Sequence, residues 1–189
     1  MDYLTLPTAL EVGGQSYAIR YDFRAVIDVI NILNNAEFRD AERYFCAMKV
    51  FYVEFDKIPI RDYQEAMERC YEFISYGSSD DGNGPPLMSW EQDLKYIIPP
   101  VSKTIGRDVR SIPYHPATNT GGLHWWTFLS AYMEMGDCLF SQIIKIREKL
   151  SRDSPLDASE KEWYRKNRSM VDLRDSYTAE DEALLAHWT

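Results

Sequence analysis

Histidine is the residue type in this sequence best suited to acid–base or metal chemistry, and the chain has three of them. His124 stands directly before two tryptophans, and its spacing from His115 and His187 forms no HxxxH or HExxH pattern. A bound metal ion needs several such ligands held together. We therefore expect His124 to have a structural or helix-capping role.

The three cysteines, Cys46, Cys70 and Cys138, are widely spaced and form no CxxC pair. Each lies among apolar residues at helical spacing. This pattern predicts buried free thiols in a reducing cytosol. A catalytic cysteine with a histidine near it in space is the less favoured alternative.

Sequence motifs of the common enzyme classes are missing. The chain contains no GxGxxG, GxxxxGK[ST], GxSxG or DxDxDG pattern. The acidic pair Asp80-Asp81 lies in a segment of small polar residues, where little would hold a catalytic geometry. We therefore expect a protein without enzymatic activity, cofactor or metal.

The composition is that of a folded acidic protein. Hydrophobic residues make up 45% of the 189 residues and aromatic residues 14%, which is enough for a core. The formal net charge of −9 disfavours nucleic acid as a partner. No apolar run is long enough to span a membrane, and residues 1–7 do not resemble a signal peptide. We expect a cytoplasmic protein that binds neither nucleic acid nor membrane.

The pattern of apolar residues predicts the elements that must position these side chains. Two short apolar runs within 9–20 flank Gly13-Gly14, which predicts a β-hairpin with a two-residue turn. Periodicity and capping patterns then predict helices. Their expected ranges are 23–35 with Asp22 as N-cap, 40–56, 61–76, one that starts at Ser89 and is interrupted at Pro99-Pro100, 123–151 with a bend near Gly136-Asp137, 158–174 after Asp157, and 178–188.

The expected fold is mainly α, a multi-helix bundle with a short N-terminal β-hairpin. Residues 77–86 contain no apolar side chain, which predicts a flexible loop between two lobes. The expected organisation is an N-terminal lobe at 1–76, the loop at 77–88, a C-terminal helical lobe at 89–174 and an acidic tail at 175–189. Residues 106–122 are expected to form a loop.

The segment 123–150 carries the strongest apolar signal. Its apolar residues recur at spacings of three and four and cover a wide arc, which is typical of a helix at the centre of a bundle. The alternative is that part of this arc binds a partner helix, since tryptophan, tyrosine and methionine offer large, adaptable contacts. The candidate partner-binding residues here are His124, Trp125, Trp126, Phe128, Tyr132 and Met133.

Residues 142–174 are locally basic, with nine lysines and arginines against six acids, a local charge of +3. The simplest interpretation is a solvated helix face. Alternatively, Arg147, Lys149 and Arg165 meet acidic patches on a protein partner.

The chain resembles a known bacteriophage family, the "gene product fifteen" proteins. The resemblance rests on an opening LP and VGG with Tyr21-Asp22-Phe23-Arg24, and on the run from Leu123 to Phe128, LHWWTF. It continues through Phe140-Ser141, the IREK at 146–149, and 160–171, so that it spans about 3–172.

This resemblance implies a tail assembly chaperone of phages with long non-contractile tails. Such a protein would coat the tape measure protein, help recruit tail tube subunits in the host bacterial cytoplasm, and be absent from the mature virion. Self-assembly into oligomers stays open. The alternative is a structural virion protein, such as a tail terminator or a head-tail connector component. If the tryptophans serve a partner, Trp126→Ala should weaken binding more than it lowers the melting temperature.

Overall fold

The structure is a computed structural model that describes residues 4–35, 37–77 and 85–173. Within these residues the chain is mainly helical and begins with a short antiparallel hairpin, so the expected fold class is confirmed. The hairpin strands are β1 (Ala9–Val12) and β2 (Gln15–Ala18), and a second, smaller hairpin pairs β3 (Tyr114–His115) with β4 (Thr120–Gly121). The helices are α1 (Phe23–Asn34), α2 (Asp40–Phe51), α3 (Tyr63–Ile74), α4 (Trp90–Ile105), α5 (Trp125–Met133), α6 (Leu139–Ser151), α7 (Ala158–Lys166) and α8 (Arg168–Val171).

The first hairpin turns at the predicted glycine pair. Gly13 and Gly14 have φ of 57° and 75°, which a two-residue turn of this kind requires and which glycine adopts without strain. Val12 pairs with Gln15 across the turn. The hairpin does not stand alone: the backbone N–H of Gly13 donates to the Glu65 carboxylate of α3 at 3.0 Å.

Helix α1 starts where the sequence predicts. The Asp22 carboxylate accepts a hydrogen bond from the backbone N–H of Arg24 at 3.0 Å, so the expected N-cap is confirmed. The helix then buries Phe23, Val26 and Ile27 on one face.

The second helix ends five residues earlier than the predicted 40–56. Tyr52 is extended, with φ −85° and ψ 130°, because its backbone forms an antiparallel bridge with Ile19 at the end of the hairpin. Two short 3-10 turns, Phe55–Lys57 and Ile60–Asp62, then lead into α3, which begins two residues later than predicted.

The predicted interruption at Pro99-Pro100 is wrong, because α4 continues through both prolines to Ile105. Proline has the φ of a helix, but inside one it lacks the N–H donor and crowds the carbonyl four residues earlier, costs that packing can offset. Ile97, Ile98 and Val101 around it are buried.

The predicted long helix at 123–151 is two helices, α5 and α6. Gly136 lies between them with φ 61°, and the Cys138 thiol caps α6 by accepting from the Ser141 N–H at 3.4 Å. The helix predicted at 158–174 likewise divides into α7, capped by Asp157 as expected, and the short α8. The predicted loop at 106–122 contains the second hairpin.

The cysteines are free, as predicted, but only Cys70 is buried, whereas Cys46 and Cys138 are half-buried. Burial raises the pKa of the Cys70 thiol well above its usual range.

The described residues form two compact units, and these differ from the contiguous lobes expected from the sequence. The first unit comprises 4–35, 37–77 and 101–134, and the second comprises 85–100 and 135–173. Residues 101–134 belong to the first unit because indole N–H groups of α5 donate hydrogen bonds to backbone carbonyls at the end of α3. Most of the predicted loop at 77–88, the helix predicted at 178–188 and the acidic tail lie outside the described residues.

Candidate functional site

The two tryptophans that dominate the sequence are core residues of the first unit. Trp125 and Trp126 are buried, and their indole N–H groups donate to the backbone carbonyls of Ile74 at 2.9 Å and Phe73 at 3.0 Å. Both carbonyls belong to the last turn of α3, where helical N–H donors run out, and that of Phe73 also accepts from the backbone N–H of Tyr76 at 3.4 Å. Phe128 is also buried and stacks on Phe23, with ring centroids 4.6 Å apart.

His124 is the N-cap of α5, so the expected capping role is confirmed. Its Nδ1 accepts a hydrogen bond from the backbone N–H of Trp126 at 3.1 Å, which places the proton on Nε2, the donor to the Pro7 carbonyl at 2.9 Å. Burial lowers the pKa of the His124 imidazole, and the bond to Pro7 opposes that effect.

Asp22 connects the starts of α1 and α5, which the sequence analysis missed. Besides capping α1, its carboxylate accepts from the backbone N–H of Leu123 at 2.7 Å. Burial raises the pKa of Asp22, while the hydrogen bonds from Leu123 and Arg24 and the Arg24 charge lower it. The neighbouring Gly122, with φ 87°, leaves room for this carboxylate, since a Cβ there would clash with Asp22 Oδ2.

The remaining aromatic candidates are more accessible. Tyr132 is half-buried, and Met133 at the end of α5 is 61% exposed. A partner could reach Trp125, Trp126, Phe128 and His124 only if the first unit opened. Their burial therefore favours the core interpretation, whereas Met133 is accessible without any opening of the unit.

The three basic candidates have different environments in the second unit. Arg147 is buried and pairs with Asp93 of α4. Lys149 of α6 donates to both oxygens of Glu160 of α7, at 2.6 and 2.7 Å. Arg165 is 73% exposed and pairs with Glu162 one turn earlier. Only Arg165 is readily available to a partner.

An open apolar hollow on the first unit lies elsewhere, between α2 and α3. We call it the α2–α3 groove, and its volume is about 480 Å³. Met48 and Met67 are buried at its floor, whereas Tyr44, Phe45 and Tyr71 are 42%, 45% and 45% exposed. Its remaining lining residues are Ala41, Tyr63, Gln64 and Glu68.

The helix predicted at 40–56 gave no indication of this groove, which is bordered by the adjacent aromatic residues Tyr44 and Phe45. Adjacent aromatic residues point about 100° apart on a helix, so both fit a single buried stripe poorly. Phe45 packs edge-on against Phe55, with centroids 5.2 Å apart, and keeps its other side open. That wide apolar arc was the available signal.

Helix α3, which forms one wall of the groove, carries more acidic than basic residues, and of its glutamates Glu68 lines the groove. It carries Glu65, Glu68 and Glu72 against the single base Arg69, which pairs with Glu72 at 2.9 Å and with Glu65 at 3.7 Å. Glu68 accepts from the side-chain amide of Gln64 at 3.0 Å. Burial raises the pKa of Tyr71, Tyr44 and Cys70 add to this effect, and the charge of Arg43 opposes it.

Across 4–35, 37–77 and 85–173, no group of three or more His, Cys, Asp or Glu residues is placed to hold a metal ion. In the same ranges, no helix is both long enough and apolar enough to cross a bilayer.

The described residues thus form a mainly helical protein, with a buried aromatic cluster at the start of α5 and an open apolar groove between α2 and α3. The family described as "Bacteriophage Gp15 protein" matches residues 4–173, so the chain belongs to that family. The resemblance expected from the sequence is confirmed at this level. No curated protein and no solved structure matches the chain.

Proposed function

We propose that this protein is a phage tail assembly chaperone without enzymatic activity. It binds the tape measure protein while the tail is built and helps recruit tail tube subunits. It acts in the cytoplasm of the host bacterium and leaves before the virion is complete.

The observation that carries the proposal is an open, aromatic- and methionine-lined groove on a chain of the phage Gp15 family. Groups of exposed apolar side chains on a protein surface often mark a binding site. Tyr44, Phe45 and Tyr71 meet that description, and Met48 and Met67 can adjust to different side chains.

The proposed partner, the tape measure protein, has apolar faces that such a groove could cover. A tape measure protein is long, helical and partly apolar, so its unassembled chain tends to aggregate. Covering its apolar faces needs reversible contacts only, and several copies of a weak binder on one long helix gain avidity. The acidic character of the chaperone, with its net charge of −9, would keep such a complex in solution.

The test is co-expression of this chain with the tape measure protein of the same phage. We expect the tape measure protein to remain in the soluble fraction and to co-purify with the chain. A tape measure protein that stays insoluble, or that is soluble without ever co-purifying, would contradict the proposal.

Mass spectrometry of purified particles separates this function from that of a structural virion protein. We expect the chain to be absent from mature particles. Stoichiometric copies in every particle would favour a tail terminator or connector component instead.

A further inference from the structure

We propose that the α2–α3 groove binds an amphipathic helix of another protein that carries lysine or arginine beside its apolar stripe. This inference rests on the proposed function, because it names the site and the chemistry of the client segment.

The walls of the groove have the spacing of helical anchors. On α3 the lining residues Tyr63, Met67 and Tyr71 follow one another four residues apart, and on α2 Ala41, Phe45 and Met48 follow at four and three. Eight residues of helix rise about 12 Å, so two walls of this length suit two to three turns of a bound helix. Such grooves receive apolar side chains spaced by three, four and seven residues.

The charge of Glu68 at the edge of the groove favours a basic side chain on the bound helix. Among the described residues, the carboxylate of Glu68 is bonded to an uncharged amide and forms no ion pair. Glu68 also lines a neighbouring hollow together with Ser75 and Glu72, and the charge of Glu72 is balanced by Arg69. A basic side chain on an incoming helix would therefore meet Glu68, whereas an acidic helix would be repelled.

The α2 side of the groove carries basic side chains, which lie on the opposite wall from Glu68. Arg43 of α2 is paired with Asp40, and Lys49 lies 6.0 Å from the Phe45 ring. A second copy of this chain is a poorer occupant, because a symmetric pair built on this groove would bring two acidic α3 helices together.

The experiment uses the full chain and two dye-labelled helical peptides of about 18 residues, with leucines at anchor spacing. One peptide carries lysine beside the leucines, and the other carries glutamate at the same positions. Fluorescence anisotropy at low and high salt gives the dissociation constants. We expect the dissociation constant of the lysine peptide to be lower than that of the glutamate peptide by a factor of about ten or more, and this difference to shrink at high salt.

Three variants locate the site. Phe45→Ser, which changes an exposed wall residue, should weaken the lysine peptide about tenfold or more. Glu68→Lys should reverse the preference between the two peptides. The matched control is Ile60→Ser, since Ile60 is 81% exposed but lies outside the groove, and this variant should bind like the unchanged chain. Circular dichroism melts check that each variant is folded.

Several outcomes would overturn the inference. These are absence of binding, equal binding of both peptides, and binding that Phe45→Ser leaves intact. A doubled mass in light scattering that Phe45→Ser abolishes would assign the groove to a second copy.

The same variants separate this inference from the proposed function. Groove-dependent peptide binding without any effect on the tape measure protein would support the groove and contradict the chaperone. A tape measure protein kept soluble equally well by the Phe45→Ser chain would support the chaperone and contradict the groove.

Discussion

Arg147 of α6 donates to both carboxylate oxygens of Asp93 of α4, at 2.6 and 2.9 Å, and both side chains are buried. The same guanidinium donates to the backbone carbonyls of Leu87 at 2.9 Å, Met170 at 2.9 Å and Val171 at 2.6 Å. Asp93 in turn accepts from the backbone N–H of Ser89 at 3.0 Å. One arginine side chain thus hydrogen-bonds to a carbonyl near the first described residues of the second unit, at Leu87, and to two near its last, at Met170 and Val171.

Removing this arginine should strongly destabilise the second unit. Arg147→Ala leaves Asp93 buried without its partner, and we expect a loss of about 3–5 kcal/mol in the free energy of unfolding. Arg147→Lys keeps the charge but loses the two-pronged geometry, so it should rescue only part of the loss. Urea unfolding followed by circular dichroism measures both. Arg165→Ala is the control, because its exposed pair with Glu162 should contribute little.

Trp126→Ala should destabilise the fold, which reverses the expectation drawn from the sequence. The side chain is buried and its N–H satisfies the Phe73 carbonyl, so we expect a loss of about 3–5 kcal/mol in the free energy of unfolding. The exposed Met133→Ala should cost little by comparison. A Trp126→Ala protein with an unchanged melting temperature and weakened tape measure binding would restore the partner-surface interpretation.

Acidification should destabilise the first unit through His124. Its pKa is lower in the fold than in the unfolded chain, so the unfolded chain takes up the proton first as pH falls. The stabilisation is therefore complete above about pH 6.5, the pKa of an unperturbed histidine, and is lost as the pH falls from there toward the lowered pKa of the folded state. His124→Asn keeps an N-cap acceptor but cannot titrate, so its stability should depend less on pH. The control is His115→Asn, because His115 is exposed. If the stability of His124→Asn falls with acid as steeply as that of His115→Asn, His124 is not the group responsible.

Gly122→Ala should cost more than its backbone conformation alone explains. Gly122 and Gly106 have similar φ, 87° and 83°, but a Cβ at Gly122 would clash with the Asp22 carboxylate, whereas one at Gly106 would meet open space. Gly106→Ala should therefore report the backbone strain alone, about 1–3 kcal/mol. The additional loss of stability in Gly122→Ala measures the cost of displacing the Asp22 carboxylate, which connects the starts of α1 and α5. Equal losses in thermal unfolding would show that Asp22 moves aside freely.

The fold class and the caps followed from local patterns. Alternation around Gly13-Gly14, the period of α1 and the capping residues Asp22, Asp157 and His124 each act within a few residues, so the sequence alone determined them. Family membership likewise followed from motifs within the chain.

Only the tertiary structure decided what the side chains meet. Whether Trp126 lies in the core or Phe45 stays open depends on which element packs beside it, and helical periodicity cannot specify that neighbour. The end of α2 at Phe51 follows from a bridge between Tyr52 and Ile19, a pairing across more than thirty residues that no local window contains. The bond from Arg147 to Asp93 has the same origin: its residues are far apart in sequence, and burial rather than charge pattern makes it strong.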